Sequence, residues 1–130
     1  VISDDKIKTH LLKKSIFAVA KSGTVSLEIC NAQIPSVIIY KINFINFLII
    51  KMLVKIKYVN IINIAANEEV IPELLQSNCT SKNIYKVVSN FLTTPLKAQE
   101  QVKKTQIILS KFKTDVSSSE LASKALNKLI

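Results

Sequence analysis

The chain has 130 residues, which is enough for about one domain with a hydrophobic core of its own. Its formal net charge is +9, but every basic residue is a lysine, whereas arginine is the residue that reads guanine and phosphate through paired hydrogen bonds. The two cysteines, Cys30 and Cys79, show no metal-binding or disulfide spacing. We therefore expect reduced thiols, no metal site and no nucleic-acid partner.

The first forty residues predict alternating helices and strands. Ser3 is a candidate N-cap for a helix over Asp4–Lys14, and the apolar run Ser15–Ala20 predicts a buried strand. A helix over Thr24–Gln33 and a β-branched strand over Pro35–Tyr40 follow. The order strand, turn, helix, strand is typical of a βαβ unit, which indicates an α/β fold with a parallel sheet.

The rest of the chain is predicted to be mostly helical, with a possible third strand over Tyr58–Ile64. The apolar stretch Ile42–Val54 is shorter than the roughly 20 residues of a spanning helix, so we interpret it as a core helix or as an amphipathic helix at a membrane surface. Helices are predicted over Phe44–Leu53, over Ser81–Leu92 with Thr80 as N-cap, from Pro95 to about Phe112, and after a capping box at Ser117 and Glu120.

The only glycine of the chain lies in Ser22-Gly23-Thr24, between a predicted strand and a predicted helix. Phosphate groups bind at such places in α/β folds, and glycine lets a ligand approach the backbone closely. Glu28, one helical turn later, could accept hydrogen bonds from a ribose diol. The same residues are compatible with a simple turn followed by a glutamate that the helix dipole favours.

A second polar cluster falls within Tyr58–Gln76, in an otherwise apolar part of the chain. It is compatible with a solvated helix start or with a site for a sugar or sugar phosphate; its polar residues are Asn63, Glu68, Glu69, Glu73 and Gln76. The single histidine, His10, lies on a helix predicted to be exposed. The sequence contains no dinucleotide fingerprint, P-loop or nucleophile elbow, which argues against those classes of enzyme.

Two stretches, AVAKSGTVSLEICNAQIPSVIIYK and LVKIKYVNIINIAANEEVIPELLQSNCT, resemble the C-terminal portion of the lipid-A-disaccharide synthase family of GT-B glycosyltransferases. The shared motifs are a Ser-Gly-Thr turn with a glutamate four residues later, a Pro-x-Val strand and a Pro-Glu-Leu-Leu-Gln block. The resemblance implies a Rossmann-like parallel sheet flanked by helices, the C-terminal half of a GT-B fold. Residues 1–92 would form a partial nucleotide-sugar-binding domain, and residues 93–130 would be helices that pack back on it or on a missing N-terminal domain.

The resemblance also implies which residues bind the donor. The turn residues Ser22, Gly23 and Thr24 fall where the diphosphate is held, and Glu28 falls where the ribose is bound. Asn63 corresponds to an asparagine near the donor sugar, and Glu69 to a nearby glutamate. The sequence departs from the family pattern at Ile62, Asn67 and Glu68, which replace proline, glycine and arginine.

The implied reaction transfers 2,3-diacylglucosamine from its UDP derivative to a lipid monosaccharide phosphate, so those two molecules are the expected partners. No metal or other cofactor is implied, and the expected location is peripheral, on the cytoplasmic face of the inner membrane. Because the resemblance covers only the donor-binding portion, we expect a fragment that is inactive alone and holds no catalytic residue. The alternatives are a non-catalytic half that joins a separately encoded N-terminal piece, a homo-oligomer, or a lysine-rich binder of membrane surfaces.

Overall fold

The structure, a computed structural model, describes residues 5–43, 48 and 57–112. In chain order the elements within these ranges are α1 (Asp5–Lys14), β1 (Ala18–Lys21), α2 (Thr24–Asn31), β2 (Ser36–Tyr40), α3 (Ile61–Ala66), β3 (Glu73–Leu75), a 3₁₀ turn (Gln76–Asn78), α4 (Ser81–Thr93) and α5 (Pro95–Phe112). From α1 to β3 the elements alternate between helices and strands, and two further helices follow, which confirms the predicted α/β class.

The three strands form one sheet in the order β1-β2-β3, and both pairings are parallel. Ala20 lies opposite Ile38, which in turn lies opposite Glu73. Helix α2 provides the crossover that a parallel pair of strands requires. Because the strands are parallel, their carboxyl ends lie at the same edge of the sheet, and at this edge the chain leaves β1 through Ser22.

The hydrophobic core lies between the sheet and the helices α2, α3 and α5. Its residues are the buried side chains Ala20, Ile29, Cys30, Ile34, Val37, Ile38, Ile62, Val70, Ile71, Ile108 and Leu109. Burial raises the pKa of the Cys30 thiol from its ordinary 9.0 to about 11. This thiol is therefore protonated at neutral pH and is a poor nucleophile.

Gln101, a buried residue of α5, connects this helix to the sheet. Its Oε1 accepts a hydrogen bond from the Ser36 N–H at 2.6 Å, and its Nε2 donates to the carbonyls of Ser36 at 3.0 Å and Val70 at 3.3 Å. Helix α5 thus packs against the α/β part of the chain. No helix in the described ranges is both long and apolar enough to cross a membrane.

The helices predicted around α1, α2, α4 and α5 are confirmed, as is the strand β2; β1 begins three residues later than predicted. The strand predicted over Tyr58–Ile64 is wrong, because the Asn60 side chain accepts a hydrogen bond from the Ile62 N–H and thereby caps helix α3. The third strand is instead the short β3.

The predictions for Phe44–Leu53 and for the segment after Ser117 fall on residues outside the described ranges, apart from residue 48.

Candidate functional site

Gly23 forms the N-cap of α2, with φ +142° and ψ −164°. This region of backbone conformation is essentially restricted to glycine. A Cβ at this position would meet no atom within 4 Å, so the backbone conformation, and not crowding, requires glycine. The Gly23 carbonyl accepts hydrogen bonds from the backbone N–H and the hydroxyl of Ser26, at 3.1 and 2.6 Å.

The N-terminus of α2 is open to a ligand. No side-chain cap is formed at Gly23, and both Gly23 and Thr24 are exposed to solvent. The first backbone N–H groups of a helix have no partners within the helix, and they carry the positive end of its dipole. The end of β1 and the start of α2 therefore provide the elements of an anion-binding site.

Ser22 connects this turn to the segment that precedes α3. Its hydroxyl donates to the Val59 carbonyl at 3.2 Å, and the Val59 N–H donates to Glu73 Oε2 at 2.9 Å. The other carboxylate oxygen of Glu73 accepts hydrogen bonds from the Asn60 N–H and the Asn63 side chain, both at 2.8 Å. Glu73 at the start of β3 thus links the N-terminal turn of α3 to the turn Ser22-Gly23-Thr24, called the glycine turn below.

Asn63 is completely buried, and its side-chain amide is bound to the protein itself. Its Nδ2 donates to the Ile71 carbonyl at 2.7 Å as well as to Glu73. Its Oδ1 accepts hydrogen bonds from the N–H groups of Val70 and Ile71, both at 2.9 Å. These bonds use both donors and both acceptor positions of the amide, so Asn63 holds the loop before β3 in place.

Glu28 lies on α2 four residues after Thr24, and residues at this spacing share one face of a helix. Its carboxylate forms an ion pair with the ammonium group of Lys8 from α1. Both side chains are partly exposed, Lys8 at 37% and Glu28 at 45%. They line a cleft of about 480 Å³ between α1 and α2, together with Thr9, Leu12, Lys13, Asn31 and Ala32.

The structure does not bring Glu69 to the glycine turn. Its Oε1 accepts a hydrogen bond from the Glu73 N–H at 3.2 Å, and its side chain lines a groove with Gln101 and Lys104 of α5. The neighbouring Glu68 lies 3.5 Å from the Lys104 ammonium group. Asn67 ends α3 in the left-handed conformation, with φ +53° and ψ +27°. Asparagine tolerates this conformation well, so the loop forms without the glycine that the family pattern has there.

Three residues gained a role only from the structure, namely Val59, Glu73 and Lys8. Glu73 belongs to the polar cluster noted in the sequence, but its acceptors and their partners come together only in the folded chain. Near the same edge of the sheet, the Lys21 ammonium group lies 5.7 Å from the centre of the Tyr40 ring. Among the described residues, no group of three or more His, Cys, Asp or Glu side chains is arranged to hold a metal ion.

Comparison with known proteins identifies the family. A model of the family described as Lipid-A-disaccharide synthetase matches residues 1–127. The chain belongs to this family. The resemblance noted in the sequence is thereby confirmed.

Members of the family from Rickettsia species are similar to this chain along nearly all of its length. Lipid-A-disaccharide synthase of Rickettsia canadensis (strain McKiel) is 41% identical over 130 residues, covering 98% of this chain and 33% of the relative. The synthases of Rickettsia felis and Rickettsia prowazekii are each 40% identical, with the same coverage. The chain therefore spans about a third of the length of these lipid-A-disaccharide synthases.

Proposed function

We propose that this chain forms the nucleotide-sugar-binding part of a lipid-A-disaccharide synthase. The donor is UDP-2,3-diacylglucosamine, and the acceptor is a lipid monosaccharide phosphate. The glycine turn holds the diphosphate through the N–H groups at the start of α2, and Glu28 accepts hydrogen bonds from the ribose hydroxyls. Asn63 acts from within the protein by holding the loop before β3, and for Glu69, in the same loop, only the family pattern supports a contact with the donor.

The observation that carries this proposal is the conformation of Gly23. The one glycine of the chain occupies a backbone conformation that other residues avoid, and it does so at the carboxyl end of a parallel strand and the N-terminus of a helix. Open α/β sheets bind ligands at this edge. Family membership supplies the identity of the ligand.

We assign donor binding, and not the whole transfer reaction, to the 130 residues. The chain spans about a third of its relatives, so we propose that the catalytic group belongs to the part of the enzyme that corresponds to the other two thirds. No metal or other cofactor is assigned. The lipid substrates place the reaction at a membrane surface, for which we propose the cytoplasmic face; the net charge of +9 favours attraction to anionic headgroups.

Thr24→Glu tests the diphosphate site. A glutamate in the first turn of α2 interacts favourably with the helix dipole, so the variant should fold at least as stably as the wild type. The added carboxylate repels the diphosphate at close range, and we expect UDP to bind about tenfold more weakly or worse. Isothermal titration with UDP measures the affinity, and amide chemical shifts of Gly23 and Thr24 report where UDP binds.

Thr24→Gln is the matched control, because it adds the same length of side chain without charge; its affinity for UDP should remain within about twofold of wild type. Uridine, which lacks the diphosphate, should bind the glutamate and glutamine variants equally. Equal affinity of the two variants for UDP, or unchanged Gly23 and Thr24 amide shifts on adding UDP to the wild type, would contradict the proposal.

A second candidate function is docking onto a separately produced N-terminal part of the enzyme. A groove of about 670 Å³ is lined by Ile16 and by Phe91, Leu92 and Val102 of α4 and α5. Ile16 is 76% exposed, and Leu96 on the first turn of α5 is 75% exposed. An exposed groove lined by apolar side chains favours an interface with another polypeptide.

A further inference from the structure

Lys8 forms an ion pair with Glu28. In the proposed function, the carboxylate of Glu28 binds the ribose of the donor. We propose that Lys8 competes with the donor nucleotide for Glu28, so that nucleotide binding exchanges one partner of this carboxylate for another. This inference rests on the proposed function. It adds a residue of α1 to the determinants of donor affinity.

The geometry of the pair supports competition. A ribose diol offers two neighbouring hydroxyl donors, and a carboxylate binds such a diol best when both of its oxygens are available. The Lys8 ammonium group is paired with Glu28 Oε2. A diol that approaches both oxygens of Glu28 must therefore share Oε2 with the lysine or displace it.

The exposure of the pair makes the exchange feasible. The Lys8 and Glu28 side chains are 37% and 45% exposed, and they line a cleft between α1 and α2. An ion pair in such a position is weak, because water screens both charges and holding two long side chains in place has an entropic cost. The lysine side chain can therefore leave Glu28 without disturbing the buried core of the fold.

Whether UDP binds more tightly or more weakly after removal of the Lys8 charge distinguishes competition from simple attraction between the lysine and the diphosphate. Removing a positive charge near a diphosphate normally weakens binding, because UDP is an anion. A lysine that merely orients Glu28 would likewise weaken binding when it is removed. Competition predicts the opposite sign, namely that loss of the Lys8 charge tightens the binding of UDP.

Lys8→Met tests this inference, since methionine keeps an unbranched apolar side chain of similar length. We expect UDP to bind the variant about two- to fivefold more tightly than the wild type, which is the strength of a partly exposed ion pair. Lys13→Met is the matched control, because Lys13 lines the same cleft and carries the same charge. The control should bind UDP with unchanged or lower affinity.

A second ligand identifies the atoms involved. The Lys8→Met variant should bind 2′,3′-dideoxyuridine diphosphate, which lacks both ribose hydroxyls, no more tightly than the wild type does. If Lys8→Met binds UDP equally or more weakly than wild type, while UDP still shifts the Gly23 and Thr24 amide signals, the competition is excluded. The proposed donor site is then still supported. Failure of UDP to bind wild type and variants alike would instead overturn the donor site, and the competition with it.

Discussion

Four described residues have positive φ, and they show how selectively this chain uses glycine. Gln33, Asn67 and Gln76 have φ values of +59°, +53° and +49°, which lie in the left-handed region that non-glycine residues can adopt at a modest cost. Gly23, at φ +142°, lies outside that region. The chain has non-glycine residues at the three left-handed positions, and its only glycine at the one position whose backbone conformation other residues avoid. This distribution distinguishes the β1–α2 turn from the other turns.

The substitution Asn63→Asp tests whether Asn63 supports the site from within or contacts the donor. Aspartate has the same shape but cannot donate to the Ile71 carbonyl or to Glu73, and it would place a second carboxylate beside that of Glu73. We expect the free energy of unfolding to fall by about 3 kcal/mol or more, measured by urea denaturation at pH 7.

Asn67→Asp, the same change at the exposed residue that ends the same helix, should cost about 1 kcal/mol or less. If Asn63→Asp were as stable as this control and lost only affinity for UDP, direct contact of Asn63 with the donor would be the better interpretation.

The sequence predicted the turn residues of the site but not the contacts that surround them. Ser22, Gly23 and Thr24 are neighbours in the chain, so their position between a strand and a helix can be recognised from local pattern. The partners of Asn63 lie in the loop before β3 and at the first residue of β3, and the partner of Glu28 lies in α1. Such partners depend on how the elements pack, and no local spacing predicts them.

At the scale of the elements, local signals decided which predictions were confirmed. Helix α4 begins after Thr80, whose hydroxyl accepts a hydrogen bond from the Asn83 N–H at 3.2 Å, and α5 begins at Pro95. Both signals are visible in the sequence. The strand predicted over Tyr58–Ile64 is wrong because Asn60 caps a helix there, although the segment is rich in β-branched residues. Strand β3 was missed because it has only three residues.

The attachment of α5 to the sheet gives a prediction at this scale. Gln101→Met keeps the size of the side chain but leaves the buried Ser36 N–H without the partner it has at 2.6 Å. We expect this variant to lose about 1–3 kcal/mol of unfolding free energy, the cost of an unsatisfied buried donor. Thermal or urea unfolding of the 130-residue chain measures the loss.

Gln106→Met is the matched control on the same helix. The Gln106 side chain donates to the Cys30 carbonyl, but this carbonyl also accepts a hydrogen bond from the Gln33 N–H at 3.0 Å. The control variant should therefore lose less stability than Gln101→Met. Equal losses would show that the polar contacts of Gln101 do not hold α5 on the sheet.

At the scale of the whole molecule, the apolar groove supports the second candidate function. Large apolar side chains of the described surface are exposed beside the groove that Ile16 and residues of α4 and α5 line. The relatives carry the segment that matches this chain and the remaining two thirds in one polypeptide. Docking of a separate N-terminal part would cover this surface and complete the enzyme, which makes the second candidate function compatible with the first.

Ile16→Lys tests the docking. Ile16 is 76% exposed, so the substitution should leave the free energy of unfolding within about 0.5 kcal/mol of wild type while placing a charge in the apolar groove. We expect the wild-type chain to retain the N-terminal two thirds of the Rickettsia canadensis synthase in a pull-down at micromolar concentration, and Ile16→Lys to lose it. Ile64→Lys, at a 46% exposed position on α3, should retain it. Because both variants gain the same charge, loss of binding by both would show that the added charge, and not the groove, abolishes binding, and retention by Ile16→Lys would exclude this groove as the interface.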